Sequence, residues 1–151
     1  MKKILTLLFS TVAFCFCAGA QSSQKLTELI ATKNATYGQV AYLCQVYSGQ
    51  IEENADYEQA FEQFKESNKI KNGVLVNTPI TLSELSFICT KLGNLKGGLF
   101  YTIFPSPRYA FRELKAKGIL PQNADPDEKP SGRDVVAVFN GCIPFEQKEG
   151  L

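Results

Sequence analysis

"TLSELSFICTKLG", residues 81–93, places a hydroxyl at Thr81, a carboxylate three residues on at Glu84, and apolar side chains at Leu85, Ile88, Cys89 and Leu92. A threonine at a helix N-cap accepts a hydrogen bond from the N3 amide, and a glutamate at N3 reaches back to the N-cap amide, so two orphaned donors are satisfied together. The apolar positions repeat at helical spacing and predict one buried face. The same arrangement recurs. Thr36 with Gln39 opens "TYGQVAYLCQVYS" (36–48), and Ser131 with Asp134 opens "SGRDVVAVFNGC" (131–142). Leu85 then matches Val40 and Val135, Ile88 matches Leu43 and Val138, and Cys89 matches Cys44. Aspartate is shorter than glutamate, so the third box is expected to be the weakest.

A second element repeats upstream of the caps. "YEQAFEQFKESNKI" (57–70) aligns with "YAFRELKAKGIL" (109–120) through Ala60 and Ala110, Phe61 and Phe111, Phe64 and Leu114, Lys65 and Lys115. The register is the same 50 residues that separates Thr81 from Ser131, and two elements keeping one register mark an internal repeat. In the last unit Ser106 stands as N-cap, Pro107 at N1 and Gly118 just past the helix end. Each unit reads as a helix, a turn ending in an apolar pair, an extended stretch with proline, and a capped helix. Three units follow, over about 24–48, 55–93 and 106–143; in the first, only "QKLTELIA" precedes the capped helix. Between the second and third, Gly97-Gly98 signals a turn, and Leu99 to Phe104 is expected as a short strand or a loop pressed onto the core, the alternative being an exposed aromatic binding loop.

Residues 1–20, "MKKILTLLFSTVAFCFCAGA", have two lysines, a largely apolar run and small residues at Ala18 and Ala20, the anatomy of a secretory signal peptide. Export across the inner membrane to the periplasm or cell surface is expected, with a domain over 21–145 and a frayed tail over 146–151. A retained membrane anchor is one alternative. A lipoprotein modified at Cys15 or Cys17 is another, although both cysteines follow a phenylalanine where that processing wants a small residue. No membrane span is expected after cleavage.

Without Lys2 and Lys3 the chain carries 14 cationic against 15 acidic side chains, so no basic excess recommends a nucleic-acid partner. Cys44, Cys89 and Cys142 survive cleavage, an odd count that leaves at least one thiol unpaired within a monomer. There is no histidine, which removes imidazole catalysis and Cys/His zinc sites. Asp125, Asp127 and Glu128 lack calcium-loop spacing and read as a solvated, proline-punctuated loop. No enzyme, cofactor or metal is expected.

The order of these elements resembles the surface-layer homology (SLH) domain, which has an Ala- and aromatic-rich helix, a "G-I-hydrophobic" turn matched by Gly118-Ile119-Leu120, an extended segment with proline, and a helix opening in "ITRAE", matched by "ITLSE" at 80–84. The likeness covers most of the mature chain. It implies a mainly α fold, an SLH-like pseudo-threefold helical bundle of three helix-turn-helix units with short extended segments, the capped helices at its centre. It also implies a binding module that tethers to peptidoglycan or a secondary cell-wall polymer. The family's groove arginine is matched by Tyr37, Leu82 and Gly132, none of them cationic, and its tryptophan is missing. An envelope protein is therefore kept as an alternative partner. Candidate contacts are Arg108, Arg112 and Arg133, with Tyr101 and Tyr109 as stacking surfaces, against the alternatives of solvated helix faces and core packing. Cys44 and Cys89 occupy equivalent sites, either as buried thiols or as a Cys44–Cys89 disulfide.

Overall fold

The computed structural model describes residues 24–68, 70 and 73–143, and among these the protein is mainly α. The signal peptide and the tail expected from the sequence lie outside the described residues. The helices are α1 over 24–31, α2 (Tyr37–Tyr47), α3 (Tyr57–Asn68), α4 (Leu82–Leu92), α5 (Leu99–Ile103), α6 (Pro107–Ala116) and α7 (Gly132–Cys142). Extended pairing among the described residues is limited to one isolated bridge, Thr36 with Pro79.

All three capping boxes form. Thr36, Thr81 and Ser131 sit in extended backbone, each accepting from its N3 amide, and the side chains of Gln39, Glu84 and Asp134 return to the N-cap amides. The shorter aspartate closes its box as well: Asp134 Oδ2 accepts from Ser131 N at 2.9 Å and from Ser131 Oγ at 2.6 Å.

Five further first-turn amides of the capped helices are satisfied by the stretches that precede other caps. Tyr37 N donates to Thr78 O and Gly38 N to Val76 O; Leu82 N donates to Glu128 O and Ser83 N to Pro126 O; Gly132 N donates to Thr32 O, all at 2.9–3.0 Å. The first unit thus leans on the second, the second on the third, and the third back on the first. The residues just before the caps, Ala35, Ile80 and Pro130, are all fully buried. Ala35 N donates to Pro130 O and Ile80 N to Ala35 O. The third such bond is missing because proline has no N–H.

Helices α3 and α6 keep their register too. Ala60 and Ala110, Phe61 and Phe111, and Phe64 and Leu114 are buried pairwise. Lys65 lies over the Phe61 ring at 5.8 Å and Lys115 over the Phe111 ring at 5.4 Å. Helix α3 packs on α2, α6 on α4, and α4 on α7. Helix α6 ends as its glycine predicts: Gly118 takes φ +73°, its N–H bonds Lys115 O, and Ile119 N bonds Leu114 O, which closes the helix with a left-handed glycine.

One expectation is corrected, and of the two readings kept for Cys44 and Cys89 the buried thiols are found. Leu99 to Phe104 is neither a strand nor a loop pressed on the core; Leu99–Ile103 is a helix with no buried residue. Its apolar residues fall at 99, 100, 103 and 104, which is helical spacing rather than alternation, and Thr102 N and Oγ1 both bond Gly98 O. The Cys44–Cys89 bridge is not formed. Cys44, Cys89 and Cys142 are free, buried thiols in the common core, and Cys89 is hydrogen-bonded to Cys142, the cysteine without an equivalent in the other units.

Candidate functional site

Two arginines one helical turn apart line one wall of a groove. Arg108 and Arg112 stand at i and i+4 on α6, on one face of that helix. They line a cleft of about 580 Å³ with Ser83 from the start of α4, Ser106 and Pro107 from the start of α6, and Pro126 and Asp127 from the loop before the third cap. The backbone bonds described above hold its walls, since Ser83 N is tied to Pro126 O at 3.0 Å. Phe111 is buried in the floor.

Both arginines are exposed, and among the described residues neither has an ion-pair partner; the ion pair found there is Lys65–Glu62. Like charges at i and i+4 on a helix repel and cost stability. Ser106, the N-cap of α6, makes no side-chain cap bond, so its hydroxyl remains available beside the partial positive charge of the helix N-terminus. Asp127 is the one carboxylate lining the cleft, and its N–H bonds back to Asp125 Oδ1 within the loop. A groove built this way offers guanidinium forks and hydroxyls to an oxyanion, the geometry in which arginine bonds carboxylate or phosphate with two parallel N–H donors.

The other candidates lie elsewhere. Arg133 is exposed at the second position of α7 and is not part of this cleft. Tyr109 stacks with Phe100 of α5, ring centroids 6.1 Å apart at 12°, which uses it to hold α5 against α6. Tyr101 is half-buried against the Gly97 turn, and burial with the nearby Glu113 charge pushes its hydroxyl pKa up. Neither tyrosine offers a free face beside the arginine pair. The positions matching the family arginine, Tyr37, Leu82 and Gly132, are buried, so the groove's cations come from α6 instead.

Two further features stand out, of which the exposure of 99–104 is the alternative reading of the sequence and the burial of Gln45 is unforeseen. Leu99, Phe100, Ile103 and Phe104 are 70%, 65%, 55% and 62% exposed, a contiguous apolar face beside α6. Gln45, by contrast, is 6% exposed, and its Nε2 has no hydrogen-bond partner among the described residues. The exposed face could have been read from the helical spacing of 99–104; the glutamine carries no sequence signal because its burial follows from helix docking. Among the described residues no helix is long and apolar enough to cross a membrane, and no cluster of three metal-ligating side chains occurs. Comparison with protein-family models, curated proteins and solved structures finds no match.

Proposed function

We propose that the protein is a secreted, non-catalytic binding module of the cell envelope, SLH-like in fold, whose three units surround a pseudo-threefold axis. It tethers to an acidic polymer attached to peptidoglycan through the Arg108–Arg112 groove. The threefold reading is supported by three capping boxes, the matched burial of α3 and α6, and the closed order of backbone bonds among the units. The observation that carries the function is the pair of exposed arginines, without ion-pair partners among the described residues, at one face of a groove that also presents an uncommitted N-cap hydroxyl. Such a pair favours an anionic ligand, and its affinity falls with salt as surface charges are screened.

The apolar face of α5 supports a second reading, an adaptor that docks on another envelope protein. Co-sedimentation of the processed protein with sacculi of the source organism, intact and stripped of attached polymers, separates the two. Pelleting that disappears with the polymer, and in Arg108→Ala/Arg112→Ala, is the expected result. Failure to pellet with either preparation would remove the wall-polymer reading.

A further inference from the structure

We infer that the cleft between α2, α3 and α4 is a second binding site, for a peptide segment that presents a bulky apolar side chain next to a carbonyl or carboxylate acceptor. Two cavities meet there, of about 230 and 320 Å³, and share Asn68, Ile88 and Lys91 as a saddle. The first is walled by Ile70, Val74, Phe87 and Pro107 and suits a leucine- or phenylalanine-sized group. At one side lies the Glu84 carboxylate, engaged by the Thr81 N–H at 2.9 Å and the Thr81 hydroxyl at 2.7 Å, with Tyr37 beside it. A ligand acceptor is therefore unwelcome in that chamber and is directed to the opposite end.

The second cavity is mixed, with Gln45, Ser48, Gln50 and Ser67 set beside Cys44, Phe64 and Leu92. Gln45 is the deciding residue. Its amide is more than nine-tenths buried, it lines this cavity, and its Nε2 finds no acceptor among the described residues. Buried donors are paired in folded proteins with few exceptions, and an exception calls for an explanation. A carbonyl or carboxylate oxygen entering the cavity supplies the missing acceptor. Lys91, its Nζ 4.5 Å from the Phe87 ring centroid on the saddle, supplies a cation beside it. Apolar chamber, saddle cation and orphaned amide follow one another in the order of a side chain and its own backbone or terminal carboxylate. A glycan has no counterpart to the apolar group.

The site adjoins the arginine groove at Pro107 but shares none of its polar or charged residues, so each stands or falls alone. The test is NMR titration of the ¹⁵N-labelled processed protein with acetyl-Ala-Leu, its C-terminal amide, acetyl-Ala-Ala and chitotetraose. Acetyl-Ala-Leu should shift the Gln45 side-chain amide together with Phe87 and Lys91. Acetyl-Ala-Ala and the variant Gln45→Met should each weaken binding about tenfold, the scale of one lost interaction. Gln45→Met should fold with an unchanged or higher Tm, because it removes an unpaired donor. Arg108→Ala/Arg112→Ala should keep peptide binding while losing sacculus pelleting. Peptides that leave Gln45 unshifted at millimolar concentration would overturn the inference, as would equal binding by Gln45→Met. A shift produced by chitotetraose alone would do the same and assign the cleft to glycan.

Discussion

Gly132→Ala probes the join between the last unit and the first. Gly132 is the N1 residue of α7, where alanine has higher intrinsic helix propensity, a gain of up to about 1 kcal/mol. The structure opposes that gain. A Cβ at residue 132 would fall 1.6 Å from Leu29 O and 2.5 Å from Leu29 C, where ordinary contact begins at 3.4 Å. The obstacle is backbone, so α1 must shift by nearly 2 Å or undock. Overpacking of this kind costs roughly 1–3 kcal/mol. If α1 undocks, Leu29, 3% exposed, gives up burial worth about 1.5–3 kcal/mol, and the Gly132 N to Thr32 O bond is lost with it. The net expectation is destabilisation of about 2–4 kcal/mol. Urea unfolding followed by circular dichroism should show a midpoint lower by about 1–2 M with a slope near 2 kcal/mol/M. A midpoint equal to or above that of the wild type would mean that helix propensity governs this position and that α1 does not close on α7.

Three further outcomes follow from the same contacts. Thr81→Ala should lower stability by about 1 kcal/mol in thermal or urea unfolding, since it removes the hydroxyl that accepts from Glu84 N at 3.2 Å. Burial pushes the Glu84 carboxyl up, but hydrogen bonds from Thr81 and Tyr37 and the Lys129 charge outweigh it and hold its pKa below the usual value. The folded value is thus lower than the unfolded one, so this contribution is complete above the ordinary glutamate range and is lost as the pH falls through the folded value. Urea midpoints measured down to about pH 3 should fall less steeply in Glu84→Gln, because a glutamine serves the first box at Gln39; equal slopes would refute the assignment. Finally, burial pushes the Cys44 thiol up to about 12, and the Cys142 contact together with burial raises Cys89 well above its usual value. A thiol reagent at neutral pH should leave Cys44 and Cys89 unmodified in the native protein and label all three cysteines in denaturant, whereas fewer in denaturant would reveal a disulfide; Cys142, held below the usual thiol value by the Cys89 contact, is shielded by burial alone.

The local features of the fold were legible because they follow from short-range chemistry. A hydroxyl residue followed three positions later by Gln, Glu or Asp specifies a cap wherever it lies, and all three boxes form. The register linking α3 to α6 held down to Lys65 and Lys115 over equivalent rings. Helix α5 was misjudged because aromatic and β-branched content was weighed above the spacing of 99, 100, 103 and 104. The order in which the units lean on one another was not legible. It depends on which carbonyl reaches an N1 amide, and Thr78, Glu128 and Thr32 supply it through backbone oxygens that every residue type carries. Of the candidate contacts, Arg108 and Arg112 line one groove, while Arg133, Tyr101 and Tyr109 lie outside it, a grouping the sequence did not show. Arginine spacing on a helix fixes only that two side chains share a face; the facing wall comes from the second unit at Ser83 and from a distant loop of the same unit at Asp127.

The most direct test of the central claim is an amide-shift map of the processed protein with solubilised wall polymer from its own envelope. The account predicts shifts at Ser83, Ser106, Arg108 and Arg112 that disappear at high salt and in Arg108→Ala/Arg112→Ala. Shifts confined to Leu99–Phe104, or none at all, would contradict it.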